Sequence, residues 1–191
     1  MASGWQIGGI YTVTSGLPFT PVIGGDPLGL GGADLYAFPN RIPGCNAVNP
    51  NFKSQGLHYI NLGCFSLPVA PIAMASECKN FAKAAVAPPA GNVYCANLLG
   101  NSSRNSVYGP GLQDLDFSLF KNNPVPRISD SFNIQFRWEV FNIANHANFN
   151  PPGPAARQIF ATSGATNNAG ILASPTTTFS RQMQFSLKFI W

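Results

Sequence analysis

The C-terminal stretch Ser180–Trp191 alternates strictly between apolar and mostly polar side chains. The apolar set at odd positions is Met183, Phe185, Leu187, Phe189 and Trp191. The set at even positions is Gln182, Gln184, Ser186, Lys188 and Ile190. A period of two gives a β-strand one apolar and one mostly polar face, whereas a helix of about 3.6 residues per turn would scatter both sets around its axis. The stretch is therefore predicted to be a β-strand.

Two interpretations of such a strand are open at this point. The strand can be antiparallel, with its apolar face on a water-soluble core. It can also belong to a transmembrane barrel, with the apolar face towards lipid, the polar face towards the lumen, and an aromatic residue at the membrane interface. The alternation alone does not choose between them.

Composition narrows the class of protein. Only 9% of the 191 residues are charged, whereas about a quarter is usual in soluble domains. Glycine (19), proline (17) and phenylalanine (15) are abundant. No run approaches the roughly 18 apolar residues of a transmembrane helix. These features suit a β-barrel or a secreted β protein.

The formal charge of +4 arises from scattered basic residues rather than from a basic cluster interleaved with aromatics. The sequence therefore indicates no nucleic-acid partner. No basic region precedes an apolar core at the N-terminus, so no signal peptide is visible. Because an exported protein needs such a signal, we expect the chain to be a fragment or an expression product of a longer protein.

Three further segments show period-two alternation. We predict four mutually antiparallel strands, at Trp5–Thr14, Leu112–Lys121, Phe132–Asn142 and Arg181–Trp191. The predicted fold class is all-β: antiparallel strands of a partial transmembrane barrel, with long irregular outer loops. Residues 1–191 are expected to form a single C-terminal barrel segment.

Residues 19–110 show no sustained periodicity and are rich in Gly and Pro steps, apart from a weak helical pattern at Ala82–Ala87. If the C-terminus is periplasmic, this long region and the loop Gly153–Thr178 are external, and the short turn near Asn122–Asp130 is periplasmic. Short periplasmic turns and long outer loops are typical of outer-membrane barrels.

All four cysteines, Cys45, Cys64, Cys78 and Cys95, lie in the long loop region, and no pair has CxxC spacing. An even number in a loop-rich exported segment indicates two disulfides, for which three pairings exist. We expect the sequential pairing, Cys45 with Cys64 and Cys78 with Cys95. Four buried free thiols are the alternative.

Four motifs resemble a known family. They are Gly4–Ile10 with Ser15–Phe19, Arg104–Asn105 with Tyr108–Gly111 and Leu115–Lys121, Phe136–Phe149, and Gln184–Trp191. In this order they are similar to late barrel strands of TonB-dependent outer-membrane receptors of the Oar-like group, which have a carboxypeptidase-regulatory-like N-terminal domain. The terminal motif looks like the aromatic-ended signal that the barrel assembly machinery reads, which implies Phe185, Leu187, Phe189 and Trp191 as the assembly signal.

The resemblance implies an outer-membrane location of the Gram-negative type. The implied partners are outer-membrane lipid, the barrel assembly machinery and an unknown small ligand at the outer loops. The plug domain and the N-terminal box of the family are not visible, and family barrels have roughly 22 strands. Because an open sheet edge is untenable in lipid, the chain resembles only the C-terminal end of a receptor.

Catalytic motifs are weak. Ser118–Lys121 matches the S-x-x-K pattern of β-lactamase-like hydrolases, but a strand would place these two side chains on opposite faces. His58 and His146 form no metal-binding pattern, and Asp114 with Asp116 suggests two solvated residues on one face rather than a catalytic pair. We therefore expect no enzymatic activity, no metal and no cofactor.

Three functions remain as hypotheses. The first is the C-terminal part of an outer-membrane TonB-dependent receptor or transporter that binds and takes up a ligand. The second is a secreted β-rich binding or adhesion module with a disulfide-braced loop region. The third, a distant one, is an S-x-x-K hydrolase.

Overall fold

The computed structural model describes residues 3–29, 37–79, 87–161, 164–166 and 168–191. The helical pattern at Ala82–Ala87 lies, apart from Ala87, outside the described residues. The chain divides into two compact units. The sheet unit comprises Met1–Ser15, Pro110–Phe149 and Pro175–Trp191. The loop unit comprises Gly16–Gly109 and Asn150–Ser174.

Nearly all regular structure in the described residues is β. The strands are β1 Trp5–Thr14, β2 Pro18–Phe19, β3 Val22–Gly24, β4 Asn40–Arg41, β5 Phe65–Ser66, β6 Val69–Pro71, β7 Asn92–Tyr94, β8 Val107–Tyr108, β9 Leu112–Pro124, β10 Asn133–Phe141, β11 Phe149–Asn150, β12 Gln158–Ala161, β13 Gly164–Ala165, β14 Ala173–Thr176 and β15 Gln182–Ile190. The helical elements are the α-helix α1 Pro154–Arg157 and the 3₁₀ segments Phe52–Ser54, Leu62–Cys64 and Ile72–Glu77. Within the described residues, no helix has the length and apolar character that crossing a membrane requires.

The sheet unit contains one four-stranded sheet in the order β1-β9-β10-β15, and every neighbouring pair is antiparallel. This confirms the all-β prediction and the four predicted strands. Their ends agree within a few residues: β1 ends as predicted, whereas β9 continues past Lys121 because Asn122 and Asn123 still pair with Gln135 and Ile134. Strand β10 ends before Asn142, whose φ of 50° leaves the extended region.

Strands β9 and β10 are joined by a short turn, residues 125–132. The Val125 amide donates to the Phe132 carbonyl at 2.9 Å, and the Ile128 amide donates to the Val125 carbonyl at 3.0 Å. We call this end of the sheet the turn end. The connections from β1 to β9 and from β10 to β15 both leave the sheet at its other end, the loop end, because all four strands are antiparallel.

The loop unit is built from strands of two to four residues. They pair as β2 with β8, β4 with β5, β6 with β7, and β12 with both β3 and β13. A core of Ile23, Ala37, Leu67 and Ala96 is buried, and Leu28, Tyr94 and Phe160 pack against it. Frequent Pro and Gly explain the short strands, since Pro lacks the amide that a β-ladder needs.

Two disulfides brace the loop unit. Cys45 is bonded to Cys64 and Cys78 to Cys95, with Cα atoms 5.5 and 4.7 Å apart. The predicted sequential pairing is therefore confirmed, and no described cysteine is free. Each bridge closes a short local loop, so its effect is to restrict the unfolded chain around one small strand pair.

Candidate functional site

One face of the four-stranded sheet is apolar, and its side chains on the edge strands β1 and β15 are largely exposed. Paired residues share a face, so the register places Leu119, Trp138 and Phe185 side by side. Phe185 and Leu187 are 65% and 62% exposed. The apolar face comprises Trp5, Ile7, Gly9, Tyr11, Val13, Leu115, Phe117, Leu119, Lys121, Ile134, Phe136, Trp138, Val140, Met183, Phe185, Leu187 and Phe189, with the polar residues Gln113 and Asn123 towards the two ends of β9. A surface of this kind is unusual for a protein in water.

Aromatic rings link the strands across this face. The Trp138 ring stacks on Phe185 with centroids 6.1 Å apart and an interplanar angle of 4°, and Phe117 meets Trp138 edge to face at 5.8 Å. At the turn end, Phe132 stacks on Trp191 with centroids 6.5 Å apart. Cross-strand aromatic pairs of this kind stabilise a sheet.

The opposite face holds the charged residues Asp114, Asp116, Arg137, Glu139 and Lys188. Its polar side chains bond to one another across strands. The Asn122 Oδ1 accepts from Gln135 Nε2 at 2.8 Å and from Asn133 Nδ2 at 3.1 Å.

The same network extends to the neighbouring strand positions. Arg137 Nε donates to Gln135 Oε1, and Gln184 Nε2 donates to Glu139 Oε2, each at 2.6 Å. The Arg137 guanidinium also lies 5.0 Å from the centroid of the Phe120 ring. These hydrogen bonds satisfy most of the polar groups at these positions, whereas Asn133 Oδ1 on the same face is buried without a partner among the described residues.

A row consists of one residue from each strand, each paired with the next. The line that joins the four strand ends is oblique to these rows. At the turn end, the row that begins at Trp5 on β1 ends at Leu187 on β15, whereas the chain continues four residues further to Trp191. Four residues span about 14 Å along a strand, and three strand spacings also span about 14 Å. The turn end is therefore inclined at roughly 45° to the rows.

The loop end shows the same offset. The row from Met183 on β15 reaches Gly9 on β1, and Val13 lies four residues beyond it. The sheet is thus a parallelogram, and its slope matches the strand tilt of about 35–45° in membrane barrels. In a barrel of that tilt, the staggered strand ends would lie at one membrane level.

Asparagines fix the loop end of β9, β10 and β15, and the sequence interpretation missed them. Asn148 is 1% exposed; its Nδ2 donates to the Gln113 carbonyl and to Thr178 Oγ1, while its Oδ1 accepts from the Gln113 amide, each at 2.9 Å. Asn142 is 4% exposed, and its Nδ2 donates to the carbonyls of Phe179 and His146. The spacing Asn142, Asn145, Asn148 after a predicted strand was the available signal. We call Asn142 and Asn148 the asparagine clamp.

Asp114 and Asp116 share the polar face, as predicted, and border a cavity of about 360 Å³. The Asp116 Oδ1 accepts a hydrogen bond from the Asn142 amide at 2.9 Å, which gives this carboxylate a structural role at the end of β10. The Asp114 Oδ1 is buried with no partner among the described residues.

The structure does not bring together Ser118 and Lys121, the two residues of the S-x-x-K motif. Ser118 pairs with Gly8 on the polar face, whereas Lys121 pairs with Trp5 on the apolar face, so their side chains point in opposite directions from β9. His146 Nδ1 lies 3.0 Å from Asn148 Oδ1, and His58 lies in the loop unit. The described residues contain no group of three or more His, Cys, Asp or Glu side chains placed to hold a metal.

The loop unit has its own polar anchor. The Tyr59 hydroxyl donates to the Tyr108 carbonyl at 2.8 Å, and burial raises the pKa of Tyr59, so the hydroxyl keeps its proton and its bond. A second, shallow depression is bordered by Arg41, Ile42, Pro43, Gly44, Cys45, Asn46 and Asn101. This places one disulfide at a concave surface of the loop unit.

A family model described as an outer membrane beta barrel domain matches residues 1–184, nearly the whole chain. The chain belongs to the outer membrane beta barrel domain family. No curated protein and no solved structure matches it. Membership locates the protein in the outer membrane. The prediction of an outer-membrane barrel is thereby confirmed, and the family favours the membrane interpretation over the secreted module.

Proposed function

We propose that the chain is the C-terminal part of a TonB-dependent type of outer-membrane receptor that binds and takes up a small ligand. The observation that carries this proposal is the asymmetry of the connections. One short turn joins β9 to β10 at the turn end, whereas both long connections, which form most of the disulfide-braced loop unit, leave at the loop end. Long outer loops are where such barrels recognise their ligands.

In this proposal the apolar face contacts lipid and the polar face borders the lumen. The free backbone edges of β1 and β15 pair with further strands of the barrel that lie outside this sheet, since an unpaired edge in hydrocarbon leaves its amides and carbonyls without partners. The loop end faces the outside and the turn end the periplasm. We expect no enzymatic activity.

Thiol labelling tests the proposed orientation. Ser54 in the loop unit and Ser129 in the short turn are both exposed. On intact cells, a membrane-impermeant maleimide should label the Ser54→Cys variant and not the Ser129→Cys variant; after the outer membrane is permeabilised, it should label both. Equal labelling of both variants on intact cells would rule out the orientation.

A separate growth assay tests the proposed uptake of a ligand. A strain that lacks the protein should grow more slowly on one of a panel of individually limiting small nutrients, and the wild-type gene should restore growth. Correct orientation without a growth difference on any nutrient would contradict the receptor role while leaving the barrel intact.

The last strand is also proposed to be the signal for the barrel assembly machinery. Phe189 in β15 and Trp191 just after it are 54% and 84% exposed. Phe185 and Leu187, on the same face of β15 as Phe189, are exposed as well. Such a row of accessible apolar side chains on an edge strand suits recognition by β-strand addition, in which side-chain pockets read alternate residues.

Deletion of Trp191 should lower the outer-membrane level of the protein several-fold, because the terminal aromatic residue would be lost from the signal. The level is measured in outer-membrane fractions of cells expressing the full-length protein. Phe132→Ala is the control: it removes the ring that stacks on Trp191 but keeps the terminal aromatic. A similar loss in both variants would assign Trp191 to packing rather than to recognition.

A further inference from the structure

Lys121 is the one charged residue on the apolar face of the four described strands. Its row neighbours on that face are Trp5 and Phe136. No carboxylate shares the face, so none of its residues supplies a partner of opposite charge. An ammonium group on a lipid-facing surface is costly in hydrocarbon, and it is tolerated where the side chain can reach the headgroups.

The Lys121 side chain is held against an aromatic ring. Its Nζ lies 4.5 Å from the centroid of the Trp5 ring, within the distance of a cation–π contact. Trp5 is 47% exposed, and Lys121 is half-buried. The pair therefore combines a positive charge with an amphipathic ring, which is the combination that concentrates at membrane–water interfaces.

The stagger of the sheet places Trp5 and Lys121 at about the same membrane depth as an aromatic pair, Phe132 and Trp191. Trp191 lies four residues beyond the row of Trp5, an offset that a strand tilt of roughly 45° cancels. Phe132 stacks on Trp191 at the same end of the sheet. Trp5, Lys121, Phe132 and Trp191 thus form one band across all four strands, which we call the turn-end belt.

We propose that Lys121, supported by Trp5, binds the headgroup phosphate of an anionic phospholipid at the turn-end belt. The proposal rests on the lipid-facing assignment of the apolar face and adds a specific contact to it. A lipid phosphate fits better than a free phosphate ion, because the aromatic residues Trp5 and Phe136 flank Lys121 in its row and no second charged side chain lies on that face of the four described strands.

The test uses the full-length protein, including the strands that pair with the free edges of β1 and β15, refolded into vesicles of phosphatidylcholine with or without phosphatidylglycerol. The folded, inserted fraction is measured in each. Lys121→Gln should reduce the preference for the anionic vesicles about fivefold, the effect expected for one basic residue near an anionic surface. Lys121→Arg should keep it, and the matched control Lys188→Gln, on the polar face, should also keep it.

Two outcomes would overturn the proposal. Equal preference for anionic vesicles in the Lys121→Gln and Lys188→Gln variants would remove Lys121 from headgroup binding. Loss of the wild-type preference on addition of inorganic phosphate, at matched ionic strength, would assign the site to free phosphate. Failure of the wild-type full-length protein to insert into either kind of vesicle would instead contradict the lipid-facing assignment on which the proposal rests.

Discussion

Replacement of Leu187 by arginine should remove most of the protein from the outer membrane. Leu187 is 62% exposed on the apolar face and lies four residues from Met183, near the start of β15, and four residues from Trp191, just past its end. An arginine at the bilayer midplane costs about 2–4 kcal/mol, and a tenfold change corresponds to about 1.4 kcal/mol. The inserted level of the full-length protein should fall at least about tenfold, measured in outer-membrane fractions.

The neighbouring positions on the polar face supply the controls. Ser186→Arg should cost little, although Ser186 is paired with Arg137 and the like charges repel by about 0.2–1 kcal/mol. Gln184→Arg is the cleaner control, because position 184 is paired with Glu139. If the arginine at 187 and the arginine at 184 inserted equally well, the apolar face would not face lipid.

The strands of the sheet unit could be predicted because their information is local. Each strand is nine or more residues long and alternates between apolar and polar side chains along part or all of its length. A one-residue slip would exchange the two faces of the sheet. The strand ends were less accurate, as β9 shows: Asn122 and Asn123 suggest a turn by composition, yet both remain paired with β10. Pairing across strands overrides the local preference there.

Of the loop unit, only the disulfide pairing could be predicted from the sequence. Four cysteines in one exported loop region restrict the possible bridges, and the sequential pairing was correct. The sequence pattern did not predict the core around Ile23 and Ala96. Strands of two to four residues are too short to show a period, and their partners are distant in sequence, as β3 and β12 are.

The slope of the sheet and the asparagine clamp were not predictable, because both depend on which residues are paired. The stagger between Trp5 and Trp191 exists only once the three registers are known. Asn148 looks like an ordinary loop residue in the sequence, but its side chain replaces a missing strand partner for Gln113. Lys121 could have been assigned to the apolar face from the alternation of β9 alone.

Substitution of Asn148 by alanine should destabilise the folded protein by about 3 kcal/mol. The amide and the carbonyl of Gln113 would both lose the side chain that satisfies them, and Thr178 would lose a donor. An unsatisfied buried group costs about 1–3 kcal/mol, and the site is nearly sealed, since Asn148 is 1% exposed. The free energy of unfolding is measured by denaturant titration of the vesicle-inserted protein.

Asn123→Ala is the matched control within the same sheet unit. The Asn123 side chain makes a single hydrogen bond, to the Ile134 carbonyl at 3.4 Å, so its loss should cost less than about 1 kcal/mol. Asn148→Asp separates hydrogen bonding from packing, because it keeps the size of the side chain but replaces its Nδ2 donor by an acceptor beside the Gln113 carbonyl. We expect Asn148→Asp to be at least as destabilising as Asn148→Ala. If Asn148→Ala and Asn123→Ala cost the same, the loop ends of β9, β10 and β15 would be held by backbone pairing alone.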